Sequence, residues 1–107
     1  MIVAARFPVA NASGVAFREV ARRRGDFAII AVAALAEDKA AVRLGVGGMA
    51  GRPMVRRVAA KDAGDAVAAW AEELEGYEDL HASAAMRRDL FRNLSPLAIQ
   101  EALRCAA

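Results

Sequence analysis

Closely spaced arginines are the side chains of this chain that are best suited to chemistry. Arg22, Arg23 and Arg24 are consecutive, Arg18 precedes them, and a second pair occupies positions 56–57. Adjacent guanidinium groups repel one another, so they require solvent, carboxylates or a phosphate nearby. Arginine binds carboxylate and phosphate through two parallel hydrogen bonds. The pattern therefore predicts a surface for an acidic protein or for one phosphate-bearing ligand.

Nucleic acid is a less favoured partner for these arginines. The chain has four phenylalanines, one tryptophan and one tyrosine, so few aromatic rings are available to stack on bases. No recognisable DNA- or RNA-reading module accompanies the arginines. We therefore favour a protein or small-ligand partner over nucleic acid.

His81 and Cys105 are the single histidine and the single cysteine of the chain. Glu78 and Asp79 could orient His81 as a general base, but no nucleophile in a strand-to-helix turn accompanies it. We interpret His81 as a loop or interface residue, and Cys105 as a small residue that packs in a terminal helix. One residue of each type excludes a cysteine-ligated iron–sulfur cluster and a structural zinc site. We predict no catalytic and no metal-binding residue.

Three glycines between positions 45 and 50 superficially suggest a dinucleotide-binding loop. The stretch is Gly-Val-Gly-Gly-Met-Ala, with alanine where the fingerprint has its last glycine. No helix is predicted to begin there, although the fingerprint requires one. We interpret these glycines as residues that bend the end of a strand.

The first half of the sequence predicts the strands that would position the arginines. Residues 15–21 alternate loosely, residues 27–36 are an uninterrupted apolar run, and residues 41–47 alternate regularly. We interpret them as a short strand, a central strand and a half-buried antiparallel strand, although periodicity alone leaves a buried helix open for the second. Turns between these strands are predicted at residues 22–26 and 37–40. A further edge strand is predicted at residues 54–58.

The second half of the sequence predicts helices. Residues 62–75 place Trp70 and other apolar side chains at helical spacing, and Gly76 ends this helix. We interpret Trp70 as a residue of the helix core. Ser83 is predicted to cap a second helix over residues 84–94.

A serine and a proline at positions 95–96 predict that a helix ends and another begins, with residues 97–106 as the last helix. The inward-facing side chains of the last two helices are predicted to be Met86, Leu90, Phe91, Leu97, Ile99 and Leu103. Strands followed by helices predict an α+β fold. In this fold, about three helices cover one face of a three- to four-stranded antiparallel sheet.

The composition fits one domain with an uneven charge distribution. The 107 residues are the usual size of a single domain. Residues 1–61 carry eleven basic and four acidic side chains, whereas residues 62–107 carry four basic and nine acidic ones. The single cysteine fits a reducing compartment, so we expect a cytoplasmic location. We expect neither a membrane span nor a signal peptide.

Three blocks of the sequence resemble one known family. Residues 17–28, FREVARRRGDFA, resemble the opening of the C-terminal domain of the FAD-binding (medium) subunit of molybdenum hydroxylases. This is the carbon monoxide dehydrogenase and xanthine dehydrogenase family. Residues 47–50, GGMA, resemble its glycine motif at the end of the sheet, and residues 79–88, DLHASAAMRR, resemble the start of its late helix. The three blocks occur in the family's order.

The resemblance implies a setting in a larger oxidoreductase. Residues 1–14 would be the connector from an FAD-binding domain that lies outside these 107 residues, and residues 15–107 would be the C-terminal domain. The subunit would hold FAD and exchange electrons with the iron–sulfur clusters of a small subunit. A large subunit would carry molybdopterin, where the substrate is hydroxylated. The chain would not be catalytic on its own or bind FAD tightly alone.

One site residue follows from the resemblance. In members like xanthine dehydrogenase, a lysine directly after the phenylalanine of the first strand lies at the flavin, and Arg18 occupies this position here. Arg18 is therefore expected to contact FAD. The alternative reading of the chain is a free-standing α+β interaction module that binds an acidic protein or nucleic acid through its arginine-rich edge.

Overall fold

Four antiparallel strands followed by helices make up this structure, a computed structural model that describes residues 1–8, 14–76 and 78–106. The strands are β1 (Gly14–Ala21), β2 (Ala28–Ala36), β3 (Ala41–Gly47) and β4 (Met54–Ala59). A short 3-10 turn (Ala60–Asp62) leads into α1 (Ala63–Glu73), and α2 (Ala84–Cys105) ends the described fold. Parts of the predicted connector (residues 9–13) and of the predicted domain (Tyr77 and Ala107) lie outside the described residues.

The sheet is a meander in which each strand pairs with the next one along the chain. All pairs are antiparallel, so the run of β-formers at residues 27–36 is confirmed as a central strand. Val42, Leu44 and Val46 of β3 are buried, whereas Arg43 between them is exposed. The alternation predicted for β3 is therefore confirmed, and so is the α+β class.

The helices cover one face of the sheet. α2 packs against β1 and β2, and α1 packs against α2 and β4. Trp70 of α1 and Phe91 of α2 meet edge to face, with ring centroids 5.2 Å apart. Both rings are buried, which confirms Trp70 as a residue of the helix core. Within the described residues, no helix has the length and apolar character required to span a bilayer.

The predicted break at Ser95 and Pro96 is wrong, because α2 is one continuous helix of 22 residues. Proline removes one backbone hydrogen bond, to the carbonyl of Arg92, and usually interrupts a helix. Here Pro96 lies on the exposed side of α2, where water can satisfy that carbonyl. Packing of the opposite side against the sheet keeps the two halves of the helix aligned.

Two of the residues predicted to face inward are in fact exposed. Met86 is 43 % exposed and Leu97 is 46 % exposed, whereas Phe91 and Ile99 are buried as predicted. The buried side of α2 consists of Arg87, Phe91, Ser95, Ala98, Ile99 and Ala102. These residues are three or four positions apart, which is one unbroken helical stripe. The sequence interpretation treated this segment as two separate helices, whose inward-facing sides need not be in phase. The single helix places Met86 and Leu97 outside the buried stripe.

Candidate functional site

A buried arginine at the start of α2 ties together three distant parts of the chain. Arg87 is 2 % exposed. Its Nη1 donates to the backbone carbonyl of Ile29 in β2 and to that of Gly48, 3.0 Å away, in the loop after β3. Its Nη2 donates to the carboxylate of Asp79 at 2.8 Å. We call Ile29, Gly48, Asp79 and Arg87 the Arg87 cluster.

Gly48 can occupy its place in the cluster because it has no side chain. Its φ of 96° lies in the left-handed region, which side-chain-bearing residues rarely adopt. A Cβ atom at this position would also collide with the carbonyl oxygen of Ile29. The glycine therefore lets the loop after β3 approach β2 closely, so that one guanidinium reaches both carbonyls.

Asp79 organises the loop that precedes α2. Its Oδ1 accepts the backbone N–H groups of His81 at 2.9 Å and Ala82 at 3.0 Å, while Oδ2 faces Arg87. The hydrogen bond from His81, aided by those from Ala82 and Arg87, holds the pKa of Asp79 below its usual value, although partial burial opposes this. Asp79 is therefore an ionised anchor between the loop and the helix.

A second contact joins the turn between β1 and β2 to the same loop. Nη1 of Arg22 lies 3.2 Å from Nδ1 of His81. Guanidinium groups only donate hydrogen bonds, so Nδ1 of His81 is the acceptor in this contact. His81 is exposed and lies in a loop, as predicted.

These groups line a small cavity of about 220 Å³, whose polar side chains are Arg22, Asp26, Asp79, His81 and Arg87. Its described lining contains two arginines and two aspartates, and no hydroxyl or thiol group among them. The arrangement can recognise and position polar groups.

The three sequence blocks that carry the family resemblance meet at this place. Residues 22–28 of the first block border the cavity, Gly48 of the second accepts from Arg87, and residues 79–87 of the third supply the loop and the arginine. Arg87 belongs to the third block, but no role was predicted for it from the sequence. The missed signal was an arginine at a position in phase with Phe91 on the buried side of α2.

The predicted arginine cluster is divided in the structure. Arg18 points to the helix-covered face and pairs with Glu101 of α2 at 3.1 Å. Positions 56 and 57 lie on β4, at the opposite edge of the sheet, about 14 Å or three strand spacings away. The basic first half of the chain thus places its arginines at separate sites.

Three of these six arginines, Arg18, Arg56 and Arg57, pair with acidic groups of the same chain. Arg56 pairs with Glu73 of α1 at 2.8 Å and lies over the ring of Trp70. Its hydrogen bond lowers the pKa of Glu73. Arg57 pairs with Glu37 at 3.1 Å. Part of the acidic surface expected of a partner is therefore supplied by the chain itself.

Two further sequence interpretations have clear outcomes. Gly47 ends β3, and residues 48–53 lead into β4 rather than into a helix, so the glycines do not form a dinucleotide-binding loop. Cys105 is exposed at the last position of α2, so its predicted packing role is wrong. The buried positions near this end of the helix are Ala98, Ile99 and Ala102.

No described part of the chain covers the sheet face opposite the helices, and most side chains on this face are apolar. Val15, Phe17 and Val55 are each more than 60 % exposed there. With Ala33, Leu35 and Gly45, they line a shallow depression of about 580 Å³. We call this surface the open face; it is formed by Val15, Phe17, Glu19, Ala31, Ala33, Leu35, Arg43, Gly45, Gly47, Val55 and Arg57.

Solved structures identify proteins with the same fold. The chain matches quinoline 2-oxidoreductase from Pseudomonas putida 86 with a TM-score of 0.71 and 25% identity over 88% of its length. It matches carbon monoxide dehydrogenase from Hydrogenophaga pseudoflava, in a form lacking the Mo-pyranopterin moiety, with a TM-score of 0.76 and 18% identity over 92%. The fold is shared with molybdenum hydroxylases. This confirms the resemblance to the C-terminal domain of the FAD-binding subunit.

The chain corresponds to only part of each of these two proteins. The chain spans 38% of the length of the quinoline 2-oxidoreductase chain and 39% of the carbon monoxide dehydrogenase chain. No family model and no curated protein matches the sequence. The match therefore describes one part of a longer relative.

The small polar cavity and the depression on the open face differ in size and polarity. The polar cavity of about 220 Å³ is smaller than the roughly 300–1,000 Å³ usual for ligand pockets. The larger depression on the open face is shallow and mostly apolar, and the one guanidinium group in its described lining, that of Arg43, pairs with Glu37. Arg18 is engaged by Glu101. We assign no step of flavin chemistry to this chain alone.

Proposed function

We propose that the chain acts as the C-terminal domain of the FAD-binding subunit of a molybdenum, iron–sulfur and flavin oxidoreductase. It packs near the flavin and docks neighbouring subunits, and in this way supports electron transfer between iron–sulfur clusters and FAD. The supporting observation is the fold match over 88–92% of the chain to two oxidoreductases. The single cysteine favours a cytoplasmic location for this assembly.

The internal contacts of the chain agree with a structural rather than a catalytic role. The Arg87 cluster joins β2, the loop after β3 and the start of α2 through fixed backbone groups. Its guanidinium is buried and binds two backbone carbonyls and one carboxylate of the same chain. Such a domain contributes surface and rigidity to a complex, while the cofactors are held elsewhere.

Arg18 is the residue that we propose to contact the flavin in the assembled subunit. The supporting observation is that its side chain, on the helix-covered side of β1, is 40 % exposed beside Glu101. Its Nε is buried, so only the exposed part of the guanidinium could donate to a further acceptor.

The alternative of a free-standing module with an arginine-rich edge has less support. Its arginines lie at opposite edges of the sheet, and three of them have intramolecular carboxylate partners. Salt-sensitive binding of DNA or RNA to the purified chain would favour this alternative.

The cofactor content of the native complex tests the proposal. The chain is tagged, produced in its native host and purified under mild conditions, and flavin, iron and molybdenum are measured in the product. We expect all three in fixed proportion to the chain. The chain purified alone should show no stoichiometric FAD binding in a titration. Absence of flavin and molybdenum from the native preparation would contradict the proposal, and so would tight FAD binding by the isolated chain.

A further inference from the structure

The open face has a continuous apolar row across all four strands. Residues paired directly in an antiparallel sheet point to the same side. Phe17 pairs with Ala33, Ala33 with Gly45, and Gly45 with Val55. Because the neighbouring residues Ala16, Val32, Ala34, Leu44 and Val46 are buried under the helices, this row faces away from them. Its two ends, Phe17 and Val55, are 62 % and 68 % exposed.

The sequence of β2 reads as a strand that is covered on both sides. An antiparallel strand with one face in water normally alternates apolar and polar residues. β2 is AIIAVAALA, without a single polar side chain. Its positions on the open face are Ala31, Ala33 and Leu35. The composition of this strand fits a sheet whose second face is also buried in the assembled protein.

We infer that the open face binds the part of a flavoprotein subunit that lies outside this fold. The inference rests on the proposed function. Four strands of about seven residues give a face of roughly 19 by 24 Å. That area matches one side of an interface between domains, which buries about 600–1,500 Å² in total. The surface is therefore of the size that holds a neighbouring domain.

The length of the relatives favours this occupant over a second copy of the chain. Both oxidoreductases have more than half of their chain outside the matched region. The fold is thus accompanied in both proteins by a larger part of the same polypeptide, which is always present to cover an apolar face. A second copy would be required only in a protein without that larger part.

Shape and charge define what the partner surface presents. Gly45 leaves a depression between Ala33 and Val55, which an aliphatic or aromatic side chain can fill. At the margin, Arg43 and Arg57 share the single carboxylate of Glu37, at 2.7 and 3.1 Å. Two guanidinium groups for one carboxylate leave one positive charge unbalanced. A partner carboxylate opposite Arg43 would complement it.

Gly45 permits a specific test because the fold does not require glycine there. A Cβ atom at Gly45 would be 3.7 Å from Val55 and from the Met54 carbonyl, which is ordinary contact. Gly45→Val therefore fills the depression without strain within the domain, and valine favours a strand. Gly64→Val in α1 is the matched control, since nothing lies within 4 Å of a Cβ atom there.

The wild type and both variants are tagged and purified from the native host. Flavin content per chain, the circular dichroism spectrum and the thermal midpoint are measured. We expect Gly45→Val to lose flavin content about tenfold or more through overpacking of the interface, with an unchanged thermal midpoint. Gly64→Val should match the wild type. Val55→Asp, at an exposed position of the same row, should repeat the loss with a charge instead of bulk.

The outcomes separate this inference from the proposed function. A wild type without flavin contradicts the proposed function itself. A wild type with flavin whose content Gly45→Val and Val55→Asp leave unchanged overturns the inference alone. Light scattering gives the third outcome. A dimer of the wild type that both variants abolish, with flavin content unchanged, assigns the open face to a second copy and also overturns the inference.

Discussion

The guanidinium of Arg87 and the carboxylate of Asp79 lie 2.8 Å apart, although the arginine side chain is almost fully buried and the aspartate is one-third exposed. Asp79 also receives two backbone N–H groups of its own loop. The ion pair therefore connects the loop that Asp79 organises to α2, on which Arg87 lies. Through the carbonyls of Ile29 and Gly48, the same arginine connects that helix to the sheet.

Replacement of Arg87 should destabilise the domain strongly. Arg87→Met keeps much of the side-chain volume but leaves two backbone carbonyls and a carboxylate without their donor. We expect a loss of about 3 kcal/mol in the free energy of unfolding, measured by urea denaturation. Arg92→Met on the same helix is the control. Its partners are exposed, so it should cost about 1 kcal/mol or less. Equal losses for the two variants would contradict a special role for Arg87.

Asp79 should make the stability of the domain dependent on acidic pH. Its pKa is lowered in the folded state, chiefly by the N–H of His81. A carboxyl group with a lowered pKa stabilises the fold above its ordinary pKa, and this contribution is lost as the pH falls through the folded value. Asp79→Asn should therefore lower stability at pH 7 and have a smaller effect at about pH 3, below the ordinary value. Urea denaturation of both proteins at the two pH values measures this, and a difference independent of pH would count against it.

Gly48 should tolerate no side chain, whereas its neighbour should. Gly48→Ala forces alanine into a left-handed conformation and against the Ile29 carbonyl. We expect a loss of about 1–3 kcal/mol in the free energy of unfolding. At Gly47, nothing lies within 4 Å of a Cβ atom, so Gly47→Ala should change stability by a few tenths of a kcal/mol. The thermal midpoints of the two variants provide the comparison, and similar values would refute the steric argument.

Two serines of the α2 region should respond in opposite directions. Ser95 is fully buried, and its Oγ has no hydrogen-bond partner among the described residues. Ser95→Ala removes that unsatisfied hydroxyl and should raise the free energy of unfolding by about 1 kcal/mol. Ser83 caps α2 by accepting the N–H of Met86 at 3.1 Å, so Ser83→Ala should lower it by about 1 kcal/mol. A loss of stability for Ser95→Ala would indicate a partner for its hydroxyl.

Arg18 should matter more to the flavin than to the fold. Its ion pair with Glu101 is partly exposed, so Arg18→Ala should cost the domain about 1 kcal/mol or less. In the complex from the native host, we expect the same variant to lower flavin content or slow flavin reduction, and Arg18→Lys to retain part of both. Glu101→Gln removes the pair but keeps the arginine, so it serves as the control. Unchanged flavin content and reduction rate in Arg18→Ala would remove Arg18 from the cofactor site.

The features that could be read from the sequence are local ones. The alternation of β3 and the cap at Ser83 depend on residues within a few positions of each other, and both are confirmed. The continuity of α2 through Pro96 depends instead on a sheet that packs along the whole helix. The role of Arg87 depends on carbonyls that are 58 and 39 positions away in the chain. Such distant contacts have no periodicity that a single sequence could reveal.

The meander of the sheet has a consequence for the order in which the chain folds. Every strand pairs with its immediate successor, so the sheet can form by successive closure of short hairpins. The contacts of Arg87 span 58 and 39 positions and require α2 to be docked. These contacts would then form after the transition state for folding. A variant in which they are weakened would refold at nearly the same rate as the wild type but would unfold faster.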